Sequence, residues 1–113
     1  MLSEKRIKEA ESNIKSYLSK GLIKREQFND LVFKVLIDNS NESIETATFL
    51  SNNKKSSLWI IVSSYYSMFY IANAVLYRLG YKIGDKISHK VTSDALIVFV
   101  KDKLKKNLIE DYE

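Results

Sequence analysis

The sequence predicts an all-α fold, and three observations support that class. The chain of 113 residues contains no proline and only three glycines, so the residues that break helices are scarce. Hydrophobic residues make up 45% of the chain, which is enough for a core and unlike a disordered segment. Apolar residues also recur at helical spacing along most of the chain. We therefore expect residues 1–113 to form a single domain, an antiparallel helical bundle.

Two helices are predicted in the first half of the chain. The first runs from about Ser3, which can cap its N-terminus, to Ser19, and Gly21 ends it. The second runs from about Glu26 to Leu50. Its polar stretch at residues 38–43 is weak helix and predicts either a kink or a short break. A polar connector then extends to residue 56.

The third predicted helix, from Ser57 to Leu79 with Gly80 as its stop, is apolar over most of its surface. Such a helix is typically buried on several sides, which places it at the centre of the bundle. One stripe is bulky and is predicted to be core: Leu58, Val62, Tyr65, Phe69, Ala72, Leu76 and Leu79. A second carries aromatic side chains with polar tips: Trp59, Ser63, Tyr66, Tyr70, Asn73 and Tyr77. A third is mostly small and could admit a second copy of the chain: Ile60, Ser64, Ser67, Ile71, Ala74 and Arg78.

The last part of the chain is predicted to contain a loop and a fourth helix. The loop covers Tyr81 to Ser88, and the helix runs from Ser88 to at least Leu104. The apolar run from Ala95 to Val100 also has the composition of a strand. We assign it to the helix because a lone strand would have no partner. The lysines near the end of the chain are predicted to form a solvated face: Lys101, Lys103, Lys105 and Lys106.

The composition excludes several kinds of site. Cysteine is absent, so the chain has no disulfide, thiolate metal site or cysteine nucleophile. The single histidine, His89, cannot build a multi-histidine zinc site, and we expect neither a metal nor a cofactor. A net charge of +4 permits attraction to nucleic acid or to an acidic partner, although solvated surface lysines are the simpler explanation.

Two segments bear on localisation. The N-terminus, Met1 to Arg6, lacks the apolar run of a signal peptide. Residues Leu58 to Leu79 have the length of a membrane span, but their serines, Asn73 and Arg78 suit a buried soluble helix better. We therefore expect a cytoplasmic protein that is not inserted in a membrane.

One part of the chain resembles the signature helix of HEPN domains. The stretch Ser64–Tyr77 opens with a Tyr-Tyr pair, continues with an aromatic, small residues and a leucine, and is followed by Gly80, as in that family. The tripeptide Ser88–Lys90 is similar to the serine- or threonine-histidine pair that opens the family's next helix. The resemblance covers about Leu58 to Phe99.

The resemblance implies a prokaryotic, antiparallel bundle of four or five helices that is often dimeric. Many members are paired with a minimal nucleotidyltransferase in a two-component system of the toxin–antitoxin type. Others are metal-independent ribonucleases that share an arginine, four to six further residues and then a histidine, paired across a dimer. This sequence departs from that motif, because Arg78 lies eleven positions before His89. Lys82 has a compatible spacing but lacks the planar guanidinium that clamps a phosphate.

Two functions therefore remain open from the sequence. The first is a non-catalytic interaction module that dimerises and pairs with a minimal nucleotidyltransferase, with RNA or a nucleotide as a further candidate ligand. The alternative is a ribonuclease toxin with an atypical site, in which Arg78 and His89 would be catalytic. The missing motif favours the first. The residues expected to bind a partner or ligand are Tyr66, Tyr70, Asn73, Tyr77, Arg78 and His89.

Each of these candidate residues also has a structural interpretation. His89 could begin a helix and form only local hydrogen bonds, since a lone histidine seldom does chemistry. Arg78 could interact with the dipole at the end of the third helix. Tyr66 could belong to the core, because aromatic side chains are usually buried.

Overall fold

The computed structural model describes residues 2–101 and shows a helical bundle with one small sheet. The elements in chain order are α1 (Glu4–Lys20), β1 (Ile23–Arg25), α2 (Asp30–Asn52), α3 (Ser57–Arg78), β2 (Tyr81–Ile83) and α4 (Ser88–Phe99). The predicted all-α class is confirmed, since the two strands contain only three residues each. The helices α2 and α3 form an antiparallel hairpin, whereas α1 and α4 pack mainly on each other.

Helix α1 has the ends that the sequence predicts. The Ser3 hydroxyl accepts a hydrogen bond from the Arg6 amide at 3.1 Å, which satisfies a free donor of the first turn. At the other end, Gly21 adopts a left-handed conformation with φ of +74°, which favours glycine. Both signals are local, and the predicted boundaries are therefore confirmed to within a residue.

Helix α2 begins later than predicted and is continuous. Asn29 caps it by accepting a hydrogen bond from the Leu31 amide at 2.8 Å, so the helix starts at Asp30 and not at Glu26. The polar stretch at residues 38–43 contains neither a break nor a change of element. Ser40 within this stretch is buried against α3, and this contact supports a segment whose intrinsic helix propensity is weak.

The two strands are a feature that the sequence reading missed. β1 pairs with β2 in an antiparallel register that places Ile23 opposite Ile83. The predicted loop after the third helix therefore contains a strand. β1 and the loop that follows it also occupy the residues where the second helix was predicted to begin, so α2 starts four residues later. Each strand is too short to show an alternating pattern, and its partner lies far away in the sequence.

Helix α4 begins at Ser88, as predicted, and the apolar run from Ala95 is helical as far as Phe99. This outcome confirms the assignment of that run to a helix. The expectation that this helix continues to at least Leu104 is corrected, because α4 ends at Phe99 and Val100 is its C-cap. Leu104 itself lies outside the described residues. The same is true of most of the predicted lysine face: Lys103, Lys105 and Lys106.

The hydrophobic core lies at one end of the molecule, among α1, α4, the two strands and the last turns of α3. Its fully packed members are Ile14, Tyr17, Ile23, Leu76, Val91, Ala95 and Val100. The prediction that α3 is central and buried on several sides is therefore wrong. Its first half is open to solvent, with Leu58 65% exposed and Ile61 68% exposed. The reason is geometric: among the described elements, α2 is the one that runs beside α3 along its whole length, since α4 meets α3 from Tyr65 onward and β2 follows its end.

The small-residue stripe of α3 contacts α2 within the same chain. The Ser67 hydroxyl donates to the Ser40 carbonyl oxygen at 2.9 Å, and the Ser40 hydroxyl donates to the Ser67 carbonyl oxygen at 2.8 Å. Ser67 and Ala74 are buried. These two small residues therefore pack on α2 and are not available to a second copy, whereas Ile71 of the same stripe remains 44% exposed.

By length and composition, α3 is the one helix among residues 2–101 that could cross a membrane, with a mean hydropathy of 1.3 over its most apolar window. Core helices of soluble proteins meet the same criterion. The second half of α3 joins the core through Leu76 and Tyr77, so the helix is part of the fold.

Candidate functional site

The only histidine of the chain lies against an aromatic surface of α3. His89 is in the first turn of α4 and is exposed. The Tyr65 hydroxyl and the Nδ1 atom of His89 form a hydrogen bond of 2.7 Å. The Phe69 ring lies 4.5 Å from the imidazole, centroid to centroid. His89 is therefore held by two neighbours that the sequence reading had placed in the core stripe.

The tyrosines predicted to bind a partner extend this surface towards α2. The Tyr66 ring lies 6.0 Å from the imidazole of His89 and 6.1 Å from the Tyr70 ring. Tyr66 also meets Tyr65 edge-on at 5.8 Å. These residues sit on adjoining turns because positions three to five apart are neighbours on a helix. We refer to Tyr65, Tyr66, Phe69, Tyr70 and His89 as the aromatic surface.

Two of the predicted binding residues have structural roles instead. Tyr77 is buried, and its hydroxyl accepts from the Asn29 amide at 2.8 Å and donates to the Gln27 carbonyl oxygen at 3.3 Å. Asn73 is also buried, and its amide donates to Thr92 of α4 at 3.3 Å. Their polar tips therefore connect α3 to the segment before α2 and to α4, and neither belongs to the aromatic surface.

Arg78 lies apart from the other candidates. Its guanidinium carbon is 4.5 Å from the centre of the Phe28 ring, in cation–π contact. The residues of α3 that touch His89 are Tyr65 and Phe69, and Arg78 is nine positions beyond Phe69. At a helical rise of 1.5 Å per residue this separation is about 13 Å. A single chain therefore does not bring Arg78 and His89 together.

The most strongly polar cluster joins α1 to α4 around a buried carboxylate. Asp94 is fully buried and forms an ion pair of 2.7 Å with Arg6. Its other oxygen accepts from the Tyr17 hydroxyl at 2.8 Å and from the Asn13 amide at 3.2 Å. Lys90 reaches the same oxygen at 3.4 Å. A buried charge is tolerated only with this degree of pairing.

The pKa values of this cluster follow from burial and hydrogen bonding. Burial raises the pKa of Asp94, but hydrogen bonds from Arg6, Tyr17 and Asn13 outweigh burial and hold that pKa below its usual value. Burial is the main cause that raises the pKa of Tyr17, although its hydrogen bond with Lys90 acts in the opposite direction. Asp94 is thus an anion near neutral pH and Tyr17 a neutral donor, an arrangement suited to holding two helices together.

This cluster escaped the sequence reading, although a signal for it exists. Asp94 is the one acidic residue in the otherwise apolar and neutral run from Val91 to Val100. Arg6, Asn13 and Tyr17 are spaced by seven and four positions and share one face of α1. The sequence shows a polar stripe on one amphipathic helix and a lone carboxylate on another, and each indicates a buried polar contact. It does not show that these two features contact each other.

The described residues surround His89 with hydroxyl and aromatic groups. No group of three or more histidine, aspartate or glutamate side chains within residues 2–101 could hold a metal ion. Lys90, the cation next to His89 in sequence, is committed to Tyr17 and Asp94. His89 therefore has a hydroxyl partner and aromatic neighbours, but no described phosphate-binding cation beside it.

No protein-family model, curated protein or solved structure matches this chain.

Proposed function

We propose that the chain is a non-catalytic interaction module of the HEPN type that dimerises and pairs with a minimal nucleotidyltransferase. One observation carries the proposal that it binds proteins. Twelve of the fifteen exposed large hydrophobic side chains among the described residues lie on α2 and α3. Apolar residues concentrated in this way mark a surface that a partner covers. The HEPN type and the nucleotidyltransferase come from the resemblance of the α3 sequence.

The dimer contact is assigned to one face of α3. Four exposed residues, Leu58, Ile61, Tyr65 and Met68, recur at spacings of three and four, so they form a continuous stripe. No charge interrupts α3 before Arg78, and two copies could meet along this stripe without burying an unpaired ion. We refer to these four residues as the exposed stripe.

The distance between Arg78 and His89 within one chain favours binding over catalysis. Metal-free RNA cleavage needs a proton acceptor, a proton donor and a cation at the phosphate. Within one chain, His89 could serve in proton transfer, but Arg78 is bound to Phe28 and lies several turns away. The ribonuclease alternative then requires a second chain to supply the arginine.

The test combines assembly with cleavage. The mass of the purified chain is measured by light scattering, first alone and then in a mixture with a minimal nucleotidyltransferase encoded by the neighbouring gene. The variants are Ile61→Asp in the exposed stripe and Leu31→Asp as control, since Leu31 is equally exposed but lies on α2. We expect a dimer that Ile61→Asp dissociates and Leu31→Asp preserves, and a complex with the nucleotidyltransferase.

Three outcomes contradict the proposal. If the chain is a monomer at high micromolar concentration and binds no nucleotidyltransferase, the proposed function is rejected. If the chain cleaves RNA in EDTA, and both Arg78→Ala and His89→Ala lose this activity, the ribonuclease alternative is correct. If the chain floats with lipid vesicles and Ile61→Asp abolishes the flotation, the exposed stripe binds a membrane.

A further inference from the structure

A groove between α2 and α3 has the chemistry of a site for a cation. It lies beside the aromatic surface and has a volume of about 450 Å³. Its lining comes from both helices and includes Asn39, Glu42 and Ser43 of α2 and Trp59, Ser63 and Tyr66 of α3. We refer to it as the α2–α3 groove.

Aromatic rings form the α3 side of the groove. Trp59 is 57% exposed and Tyr66 is 40% exposed, so both rings are available to a ligand. Tyr70 also lines the groove, with its ring centroid 6.1 Å from that of Tyr66. The faces of aromatic rings carry negative electrostatic potential and attract ammonium and guanidinium groups, tryptophan most strongly.

The α2 side of the groove supplies a carboxylate. Glu42 is the one charged residue among the described residues that line the groove, and it is exposed. Asp38 nearby is neutralised by Lys34 at 2.6 Å, but Glu42 forms no ion pair with any residue from 2 to 101. Its charge is therefore available to a ligand.

The hairpin as a whole is electrically neutral, since Lys34, Lys54, Lys55 and Arg78 balance its four carboxylates, but its lysines and arginine lie outside its middle turns. Between Val35 and Asn53, α2 has three carboxylates and no lysine or arginine. Between Ser57 and Tyr77, α3 has no charged residue. The net charge of +4 therefore originates elsewhere in the sequence. A cation in the groove meets the Glu42 carboxylate, whereas a phosphate would meet the same carboxylate with no cation in the described lining to compensate it.

The remaining lining groups suit a guanidinium in particular. A guanidinium has five N–H donors and no acceptor, so it needs several oxygen atoms around it. The groove offers the Glu42 carboxylate, the Asn39 amide oxygen and the hydroxyls of Ser43 and Ser63. A planar guanidinium can also stack on Trp59 while its edge donates to these oxygens.

We propose that the α2–α3 groove binds an arginine side chain presented by a protein partner, with Glu42 as its counter-ion and Trp59 as its stacking surface. The proposal rests on the proposed function in that a protein partner provides the arginine. It uses a surface of α3 different from the exposed stripe, so the chain can dimerise and bind an arginine at once.

The chain carries its own reporter for this site. Trp59 is the only tryptophan, so its fluorescence reports the occupancy of the groove directly. The probe is the acetylated, amidated tripeptide Gly-Arg-Gly, titrated at low salt. The matched probe replaces arginine by citrulline, which has nearly the same shape but no charge. We expect a saturable change with the arginine peptide and roughly tenfold weaker binding of the citrulline peptide.

The variants separate the carboxylate of the groove from general charge. Glu42→Gln should weaken binding of the arginine peptide by about fivefold, since it removes the ion pair and retains the shape. Glu45→Gln is the control, because Glu45 lies on α2, is exposed and does not line the groove. It should leave the affinity unchanged. A circular dichroism spectrum of each variant verifies that the helices are intact.

Three results would overturn the proposal. Equal affinity for the arginine and citrulline peptides would show that the groove does not recognise a positive charge. Equal affinity of Glu42→Gln and Glu45→Gln for the arginine peptide would show that Glu42 is not the counter-ion. A single-stranded oligonucleotide that quenches Trp59 at lower concentration than the peptide assigns the groove to nucleic acid. Failure of the nucleotidyltransferase to bind a chain that does bind the arginine peptide would reject the proposed partner and leave the groove proposal standing.

Discussion

The two ends of α3 experience different surroundings within one helix. The last turns belong to what we call the body, formed with α1, α4 and both strands, and there Leu76 and Tyr77 are almost fully buried. The first turns belong to the α2–α3 hairpin, where Leu58 and Ile61 are largely exposed. Both ends are apolar in sequence. Burial is favourable for the apolar side chains at both ends, but a side chain becomes buried within the chain only where enough neighbouring elements pack around it.

The comparison is tested most directly by the same substitution at the two ends of α3. Leu76→Ala should lower the free energy of unfolding by about 3–5 kcal/mol, because it opens a cavity in the body. Leu58→Ala should change it by less than about 0.5 kcal/mol in the monomer, since the Leu58 side chain already meets water. Urea denaturation at low protein concentration measures both. Equal losses for the two variants would contradict the assignment of these ends to different surroundings.

The carboxylates of the body and the hairpin provide a second comparison. Asp94→Ala should destabilise the protein by about 3 kcal/mol, because Arg6 and the Tyr17 hydroxyl lose a buried partner. The estimate is at the low end for a buried pair, since Arg6 remains partly exposed. Asp38→Ala is the control: its pair with Lys34 is exposed and contributes less than about 1 kcal/mol. Thermal unfolding that ranks Asp38 above Asp94 would refute this prediction.

The body should also lose stability in acid. The pKa of Asp94 is lower in the folded chain than in the unfolded chain, so the ionised carboxylate stabilises the fold above the unfolded pKa of about 4. This stabilisation is then lost as the pH falls through the folded pKa. The loss should be smaller than that caused by Asp94→Ala, because a protonated Asp94 still fills its site. Urea unfolding followed from neutral pH into acid should show a shallower loss in Asp94→Asn, and an unchanged slope would exclude Asp94 as the cause.

The smallest expected effect concerns the contact inside the hairpin. Ser67→Ala should lower stability by about 1 kcal/mol, because its hydroxyl donates to the Ser40 carbonyl oxygen. Ser64→Ala is the control on the same helix, since the Ser64 hydroxyl has no described partner within residues 2–101. A loss for Ser64→Ala that exceeds the loss for Ser67→Ala would mean that the hairpin packs on a different face of α3.

The candidate site was only partly predictable. Tyr66, Tyr70 and His89 do lie on one surface, because two of them share the repeat of α3 and the third opens α4. Tyr65 and Phe69 were placed in the core, yet they hold His89. Glu42 was not singled out at all, since only the tertiary structure places it in a groove with aromatic rings of another helix. The sequence contains these residue types but not their distances.

The sequence by itself determined how many helices there are and where α1 begins and ends. Ser3 and Gly21 set these ends through contacts within a few residues, and such contacts do not depend on the rest of the fold. For the same reason the sequence identified α3 as an apolar helix with stripes of different kinds. The start of α2 at Asp30 was not determined in this way, because the preceding segment is held by β1 and by Tyr77.

Only the tertiary structure decided which stripe is covered and which residues meet. The pairing of β1 with β2 joins residues about sixty positions apart, and Asp94 meets Arg6 across almost the whole described chain. Contacts of this kind have no local signature, because they depend on how each helix is oriented once the others have packed. The same packing left the first turns of α3 open to solvent at Leu58 and Ile61. The exposed stripe and the α2–α3 groove both result from this incomplete covering of α3.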